Sequence, residues 1–316
     1  MKLLSYSRNN NKSKGFVLVS VLMLGTLLIS CATAYTWFVR SQVRSFARER
    51  DGLTSRTMAY VLTESVIKAL IVVSSNVHYD SLSQRWFQPF MLPMTDDLGM
   101  WLLQITPLDD KIPIKSLFLP DGSTVRREYV KVWEDMWEEL GRRDLANKTL
   151  DFMDKNNKPR VGGFERDYFI NRIPYDLSEL LIMSEDITPE ILYGNDEGIH
   201  EDLGLADYCT IFANDRININ VAPVHVLELL PGLNVGNIAE KVVDMRADRP
   251  FETLTNLREI PGAPARIVNQ LSNLVKFKSR YFEIRMERID LENDGGTSFT
   301  IVIDRDDKKI VKWEES

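Results

Sequence analysis

The sequence predicts an α+β protein in which a long N-terminal helix packs on an antiparallel sheet and a large all-helical domain is inserted. An uninterrupted apolar run covers residues 16–39, and helical spacing of apolar residues continues beyond it. Strand-like segments occur between residues 100 and 114 and again beyond residue 280. Between them, helical patterns alternate with loops rich in Asp, Asn, Gly and Pro. Strands on both sides of a helical block indicate an insertion into one unit.

The apolar run is long enough to cross a membrane. At a rise of about 1.5 Å per residue, a helix over Phe16–Val39 would be roughly 36 Å long, against a hydrocarbon layer of ~30 Å. The preceding segment carries Lys2, Arg8, Lys12 and Lys14 and no acidic residue. Such a basic flank is typical of the cytoplasmic side of a span. We therefore expect a single-pass membrane protein.

Three kinds of processing are compatible with this run. A cleaved secretory signal would end at small residues such as Ala32-Thr33-Ala34, but polarity does not return there because Tyr35–Val39 is mainly apolar. Leu28–Cys31 resembles a lipobox and would place a lipid on Cys31. Cleavage between Gly15 and Phe16 would instead leave the whole apolar helix in the mature protein. We favour this third interpretation.

The bulk composition excludes several function classes. The chain has 316 residues and a net charge of −7, which is the opposite of the balance usual in nucleic-acid binders. Cys31 and Cys209 are the only cysteines, and no intradomain disulfide is expected since Cys31 lies in the apolar run. His78, His200 and His225 have no metal-ligand spacing. With no nucleophile, acid–base pair or phosphate loop, we predict no catalysis.

Apolar residues recur at helical spacing from Val39 onward. The positions are Val39, Phe46, Leu53, Tyr60 and Ile67, with Val43 and Ile71 beside them. A stripe of this kind buries one face of a long helix against a sheet or a partner helix. We predict Val43, Phe46 and Leu53 as partner-contact residues. The pattern ends near Ser74–Asn76.

Strand patterns define the remaining boundaries. The predicted strands and turn are Met100–Ile105, Lys111–Ile114, Tyr281–Leu291, a turn at Glu292–Gly296, Thr297–Ile303 and Lys309–Trp313. The predicted domains are a leader (1–15), a transmembrane part of the long helix (16–39), a second helix part with the first strands (40–125), an inserted helical domain (126–276) and closing strands (277–316).

A polar cluster in Leu150–Phe169 is a candidate metal site. Asp151, Asp154, Asn156 and Glu165 offer oxygen ligands next to a glycine turn, which is the chemistry that a hard cation such as Ca²⁺ prefers. The alternative is a helix end and a turn stabilised by Asx hydrogen bonds. We prefer the alternative and retain calcium as a possible ligand.

A second cluster, Ile217–Pro264, is similar to paired helix-hairpin-helix units, such as those of competence-type DNA receptors. In DNA-binding versions a second glycine lets backbone N–H groups approach a phosphate. Here Asn234 and Pro264 take that place, and proline has no N–H to donate. We therefore expect a packed helical scaffold and no nucleic-acid partner.

In order, these features resemble the K-type minor pseudopilins of type II secretion systems. The basic leader ends at Gly15 and an aromatic Phe16 opens the helix, as in type IV prepilins. Ser20 stands where most pilins have glutamate. The Asp-rich segment is similar to the family's motif, with Phe152 in place of tryptophan and Asn156 in place of an aspartate.

The resemblance implies a non-enzymatic protein with a pilin-like fold. It implies cleavage by prepilin peptidase, an N-methylated Phe16, and a place in the bacterial inner membrane with the bulk of the chain in the periplasm. The implied partners are other minor pseudopilins of I and J types in a pseudopilus tip complex that supports export of folded proteins. A topmost subunit need not offer a carboxylate at Ser20. The alternatives are a membrane-tethered DNA receptor and a lipoprotein anchored at Cys31.

Overall fold

The computed structural model describes residues 11–93, 99–195, 203–289 and 297–316, with side chains from Phe16 onward. The chain divides into two compact units, Met1–Met58 and Ala59–Ser316. The helices are α1 (Asn11–Asn76), α2 (Arg127–Glu139), α3 (Leu145–Met153), α4 (Pro189–Tyr193), α5 (Leu205–Tyr208), α6 (Val224–Glu228), α7 (Ile238–Asp248) and α8 (Ile267–Leu271). The strands are β1 (Phe90–Pro93), β2 (Met100–Pro107), β3 (Ile112–Pro113), β4 (Cys209–Thr210), β5 (Ile217–Asn218), β6 (Val275–Lys276), β7 (Tyr281–Ile289), β8 (Ser298–Asp304) and β9 (Lys309–Glu315).

The main sheet is antiparallel and has the strand order β1-β2-β7-β8-β9. Apolar side chains alternate along each central strand, as expected of a sheet with one buried face. In β2, Trp101, Leu103 and Ile105 are buried, and Ile105 lies opposite Ile284 of β7. The predicted antiparallel sheet is confirmed.

Helices α2–α8 all lie between β2 and β7, which are neighbouring strands of that sheet. The helical segment is therefore inserted between two paired strands. Its core is continuous and is centred on large side chains such as Trp133, Trp137 and Phe152. The indole N–H of Trp133 donates to the carbonyl oxygen of Ala146 at 3.0 Å, which ties α2 to α3.

One strand prediction differs from the structure, and one strand was not predicted. The segment predicted as a strand at Lys111–Ile114 contains only β3, which pairs in parallel with β4, and Ile114 begins a 3₁₀ turn. Both Ile112 and Ile114 belong to the helical core rather than to the main sheet. Strand β1 had no clear sequence signal. The turn predicted at Glu292–Gly296 lies outside the described residues.

The buried face of α1 also differs from the heptad prediction. Within the second unit, Ala59, Thr63, Ile67 and Leu70 are buried, at the spacing of one helix face. Tyr60, which belongs to the predicted stripe, is 53% exposed. The predicted stripe therefore holds at Ile67 and is wrong at Tyr60, because the small residues Ala59 and Thr63 occupy the buried face and hydrophobicity alone did not mark them.

Candidate functional site

The N-terminal half of α1 presents an apolar surface with no cover in the isolated chain. Phe16 is 75% and Trp37 73% exposed, and the residues between them are exposed almost without exception. By length and composition this is the one helix among the described residues that could cross a membrane. A long exposed apolar surface of this kind requires a lipid or protein neighbour.

The hydroxyl groups inside this apolar segment are satisfied by its own backbone. Each donates to a carbonyl oxygen three or four residues earlier, at 2.8–2.9 Å, and the donors are Ser20, Thr26, Ser30, Thr33 and Thr36. Hydrocarbon offers no hydrogen-bond partner, so each unsatisfied group would be costly there. With these bonds the hydroxyls can enter the lipid without an outside partner.

The predicted processing and contact residues all lie on α1. Gly15 and Phe16 both lie within α1. Val43, Phe46 and Leu53 are 61%, 66% and 56% exposed, so they are accessible to a partner in the isolated chain. Whether a partner covers them stays a prediction.

The structure brings Asp151 and Asp154 together around Arg160. Both carboxylates are fully buried, and the Nη1 atom of Arg160 lies 2.6 Å from Asp151 Oδ1 and 2.5 Å from Asp154 Oδ2. The backbone N–H of Arg160 also donates to Asp151, and its Nη2 atom donates to the carbonyl oxygen of Ser123 at 2.7 Å. Through Arg160, the two aspartates connect the loop around Ser123 to the end of α3.

The other two metal candidates lie at the edge of this group. Asn156 makes Asx hydrogen bonds with Asp154, as the alternative prediction required. Glu165 has a buried Oε1 atom with no hydrogen-bond partner, and its pKa is raised by burial and by the nearby Asp151 and Asp154. The donors suit a hard cation, but Arg160 supplies the positive charge in this arrangement. Among the residues that the structure describes, no three His, Cys, Asp or Glu side chains are placed as metal ligands.

A buried ion-pair network, which sequence reasoning missed, joins strand ends of the main sheet to the segment after α1 and to β6. We call it the polar junction; its pairs are Asp80–Arg305 at 3.0 Å, Asp109–Lys276 at 2.5 Å and Asp304–Arg280 at 2.8 Å. The Asp-rich turn after β2 was the one sequence signal for it. Pairs so distant in sequence leave no periodic pattern that could reveal them.

An open cavity of about 820 Å³ lies beside the polar junction. Its lining includes Lys276, Arg280 and Arg305, each already paired with an aspartate of the junction. The ammonium of Lys278 donates to the carbonyl oxygen of Ser74 at 2.6 Å. Because these cations are neutralised or hydrogen-bonded, the cavity has little spare charge for an anionic ligand.

The helix-hairpin-helix-like segment is tied together by its own polar groups. The guanidinium of Arg246 is buried and donates to the carbonyl oxygens of Ile219 and Ala222, both at 2.6 Å. Burial lowers the pKa of Arg246 to about 10. The side-chain N–H of Asn220 donates to the carbonyl oxygen of Phe251, and the backbone N–H of Phe251 donates to the side-chain oxygen of Asn220, at 2.8 Å each. Asn220, in the asparagine-rich start of this segment, therefore holds two parts of the segment together.

The cysteine and histidine side chains form no site in the described parts of the chain. Cys209 is buried, which raises its thiol pKa to about 12, and Cys31 is exposed on α1. The ring of His225 contacts the carbonyl oxygen of Asp207 at 3.1 Å. His200 lies outside the described residues.

Fold and surface together define a class: an α+β protein with a long apolar N-terminal helix, an antiparallel sheet and a helical domain inserted between two of its strands. No family model and no curated protein matches the sequence. The chain is similar to a chain in the crystal structure of the GspK-GspI-GspJ complex from the enterotoxigenic Escherichia coli type 2 secretion system. The TM-score is 0.61 at 18% identity, and the match covers 87% of this chain and 99% of that one. The predicted pilin-like fold is confirmed by this similarity.

Proposed function

We propose that this protein is a K-type minor pseudopilin that forms part of the tip complex of a type II secretion pseudopilus. The observation that carries the proposal is the shared fold, which spans almost the whole of a chain from the GspK-GspI-GspJ complex. The order of motifs along the sequence supports it independently. In this function the partners are I-type and J-type minor pseudopilins, and the assembly supports export of folded periplasmic proteins across the outer membrane.

The physical roles of the parts follow from the exposed and buried surfaces. The apolar half of α1 anchors the chain in the inner membrane and, after extraction, packs against the helices of its siblings. The bulk of the chain then lies in the periplasm. Val43, Phe46 and Leu53 continue the accessible apolar surface beyond the span and contact a sibling helix.

Ser20 suits a subunit at the top of the assembly. A glutamate at this position would place a carboxylate in hydrocarbon, where it needs a cationic partner. The Ser20 hydroxyl instead donates to the Phe16 carbonyl oxygen at 2.9 Å and needs no neighbour. A large inserted helical domain would also be difficult to accommodate within a continuing filament, which supports a cap position.

Processing by prepilin peptidase between Gly15 and Phe16 is part of the proposal, as is N-methylation of Phe16. We propose no catalytic activity for the chain, since its sequence shows no nucleophile, acid–base pair or phosphate loop. Transport would be driven by other components of the machine.

The deciding experiment is mass spectrometry of the N-terminus of the protein purified from its host membrane. We expect a mature chain that begins at N-methylated Phe16 and copurifies with I-type and J-type pseudopilins. A chain that begins at acylated Cys31 would establish the lipoprotein alternative. Salt-sensitive binding of DNA, without copurifying pseudopilins, would establish the receptor alternative.

A further inference from the structure

Three arginines follow the apolar segment on one face of α1. Arg40, Arg44 and Arg48 are four residues apart, so their side chains project from the same side of the helix. All three are exposed. We call them the arginine stripe.

The arginine stripe has no anionic partner within the part of the chain that the structure describes. The neighbouring ion pair on the helix joins Arg50 to Asp51 at 3.3 Å and does not involve the stripe. The first acidic residue of the whole sequence is Glu49, so no carboxylate precedes the stripe. Three unpaired guanidinium groups on one face make a surface that favours an anionic ligand.

The position of the stripe along the helix indicates which anion it meets. Tyr35, Trp37 and Phe38 end the apolar run, and aromatic side chains favour the boundary between hydrocarbon and headgroups. At about 1.5 Å per residue, Arg40 lies roughly 3 Å, Arg44 roughly 9 Å and Arg48 roughly 15 Å beyond Phe38. The headgroup layer is roughly 5–8 Å thick on each side. Arg40 therefore lies at headgroup depth and Arg44 at the outer edge of the layer, whereas Arg48 reaches back toward it with its long side chain.

The apolar contact residues lie on the other side of the same helix. At about 100° per residue, the mean direction of Val43, Phe46 and Leu53 is roughly 145° away from the mean direction of the stripe. A sibling helix packed on that apolar face would leave the arginine stripe directed away from it. The stripe then faces the lipid headgroups.

We propose that the arginine stripe is a binding site for anionic phospholipid headgroups on the periplasmic side of the span. The planar guanidinium pairs with phosphate oxygens through two parallel hydrogen bonds, and the long side chain reaches back to the headgroups from the helix. Release of these contacts becomes a step in extraction of the helix from the membrane. The inference rests on the membrane placement in the proposed function.

The test uses the full-length protein reconstituted in phosphatidylcholine vesicles that contain a trace of spin-labelled lipid. Electron paramagnetic resonance measures the fraction of label immobilised by the protein, with labelled phosphatidylglycerol compared with labelled phosphatidylcholine. We expect a severalfold preference for phosphatidylglycerol, since each arginine near an anionic surface contributes to attraction. High salt should weaken the preference because it screens exposed charges.

The R40Q/R44Q/R48Q variant should lose this preference. A control variant with the same loss of charge, R143Q/R249Q/R285Q, removes exposed arginines of the second unit and should keep it. Resistance to alkaline extraction verifies that every variant is inserted. An undiminished preference in the stripe variant would overturn the proposal.

A second outcome would also overturn it: equal association with both lipids, together with loss of copurifying pseudopilins in the stripe variant, would assign the stripe to an acidic protein partner. The N-terminal mass recorded on the same samples separates the two proposals. A chain that keeps residues 1–15 contradicts the proposed processing, whereas the lipid preference is expected of any inserted chain that carries the stripe.

Discussion

The guanidinium of Arg305 pairs with the carboxylate of Asp80 at 3.0 Å, and both side chains are almost completely buried. The two residues are 225 positions apart, so the pair connects the segment after α1 to the end of β8. The Asp80 carboxylate also accepts the backbone N–H of Ser279 at 2.8 Å. This contact fixes the start of β7 to the same point.

Replacing Asp80 with asparagine should destabilise the protein strongly. The change leaves the buried Arg305 without its counter-charge, and breaking such a pair costs about 3–5 kcal/mol. Chemical denaturation of the detergent-solubilised protein measures the free energy of unfolding. The double variant D80N/R305M should be more stable than D80N alone, because it removes the isolated charge.

An exposed ion pair provides the control for this prediction. Lys131 and Asp135 are 2.7 Å apart on the surface of α2, with Lys131 73% exposed. The K131M variant should change the free energy of unfolding by at most about 0.5 kcal/mol. Similar losses from D80N and K131M would contradict the importance of the buried pair.

Gly163 is required next to the buried Asp151. A Cβ atom at Gly163 would lie 1.9 Å from Asp151 Oδ2, so G163A must displace the carboxylate from Arg160. We expect a loss of about 3 kcal/mol in the free energy of unfolding. Combining G163A with D151N should cost less than the sum of the two single changes, because both act on the same contact.

Gly162 is the matched control for this position. Its φ angle is +79°, but a Cβ atom there would have no neighbour within 4 Å. G162A should therefore cost only about 1–2 kcal/mol of backbone strain. It should also be additive with D151N, and a non-additive result would show that the effect of G163A is not specific to Asp151.

Asp110 should make stability fall as the pH rises. Burial raises the pKa of this carboxyl from 3.8 to about 6, and its Oδ1 atom has no hydrogen-bond partner. The folded state therefore binds the proton more tightly than the unfolded state, and stability declines between about pH 4 and pH 6. At neutral pH the D110N variant should be more stable than the wild type, by up to about 3 kcal/mol.

Asp121 should give the opposite dependence and serves as the control. The Thr124 hydroxyl and two backbone N–H groups lower the pKa of this exposed carboxyl to about 2. The stabilisation from the ionised Asp121 carboxylate is present at neutral pH and is lost as the pH falls from about 4 to about 2. D121N should therefore destabilise the neutral protein, whereas D110N stabilises it. Parallel pH profiles for the two variants would contradict these assignments.

A charge on the exposed apolar face should interfere with assembly. F46E places a carboxylate in the proposed sibling contact, where burial without a partner is costly. We expect less copurification of I-type and J-type pseudopilins. Ser41 projects from roughly the opposite side of the helix, so S41E should leave copurification unchanged. Normal recovery of partners with F46E would exclude this face as the contact.

Calcium binding at Asp151, Asp154, Asn156 and Glu165 has a direct thermal test. A ligand that binds only the native state raises the unfolding midpoint. We expect the midpoint to be unchanged by added Ca²⁺ and by chelator, because Arg160 already pairs with Asp151 and Asp154. A midpoint that rises with Ca²⁺ and loses this response in E165Q would instead establish a calcium site.

The sequence by itself determined the parts of the protein that depend on local pattern. The apolar run gave the membrane-length helix, and alternation gave β2, β7, β8 and β9 within a few residues. The position of the helical insertion followed because periodicity changes where the strands stop. Local patterns suffice for these features, since each depends on neighbours along the chain.

Only the tertiary structure decided which polar side chains act together. Asp80 meets Arg305, and Asp109 meets Lys276, across more than half of the chain. The structure also placed Arg160 between the two aspartates of the candidate metal site, which turned a predicted ligand set into ion pairs. Burial of a charge is tolerated only where an opposite charge is brought to it, and folding of the distant segments supplies that charge.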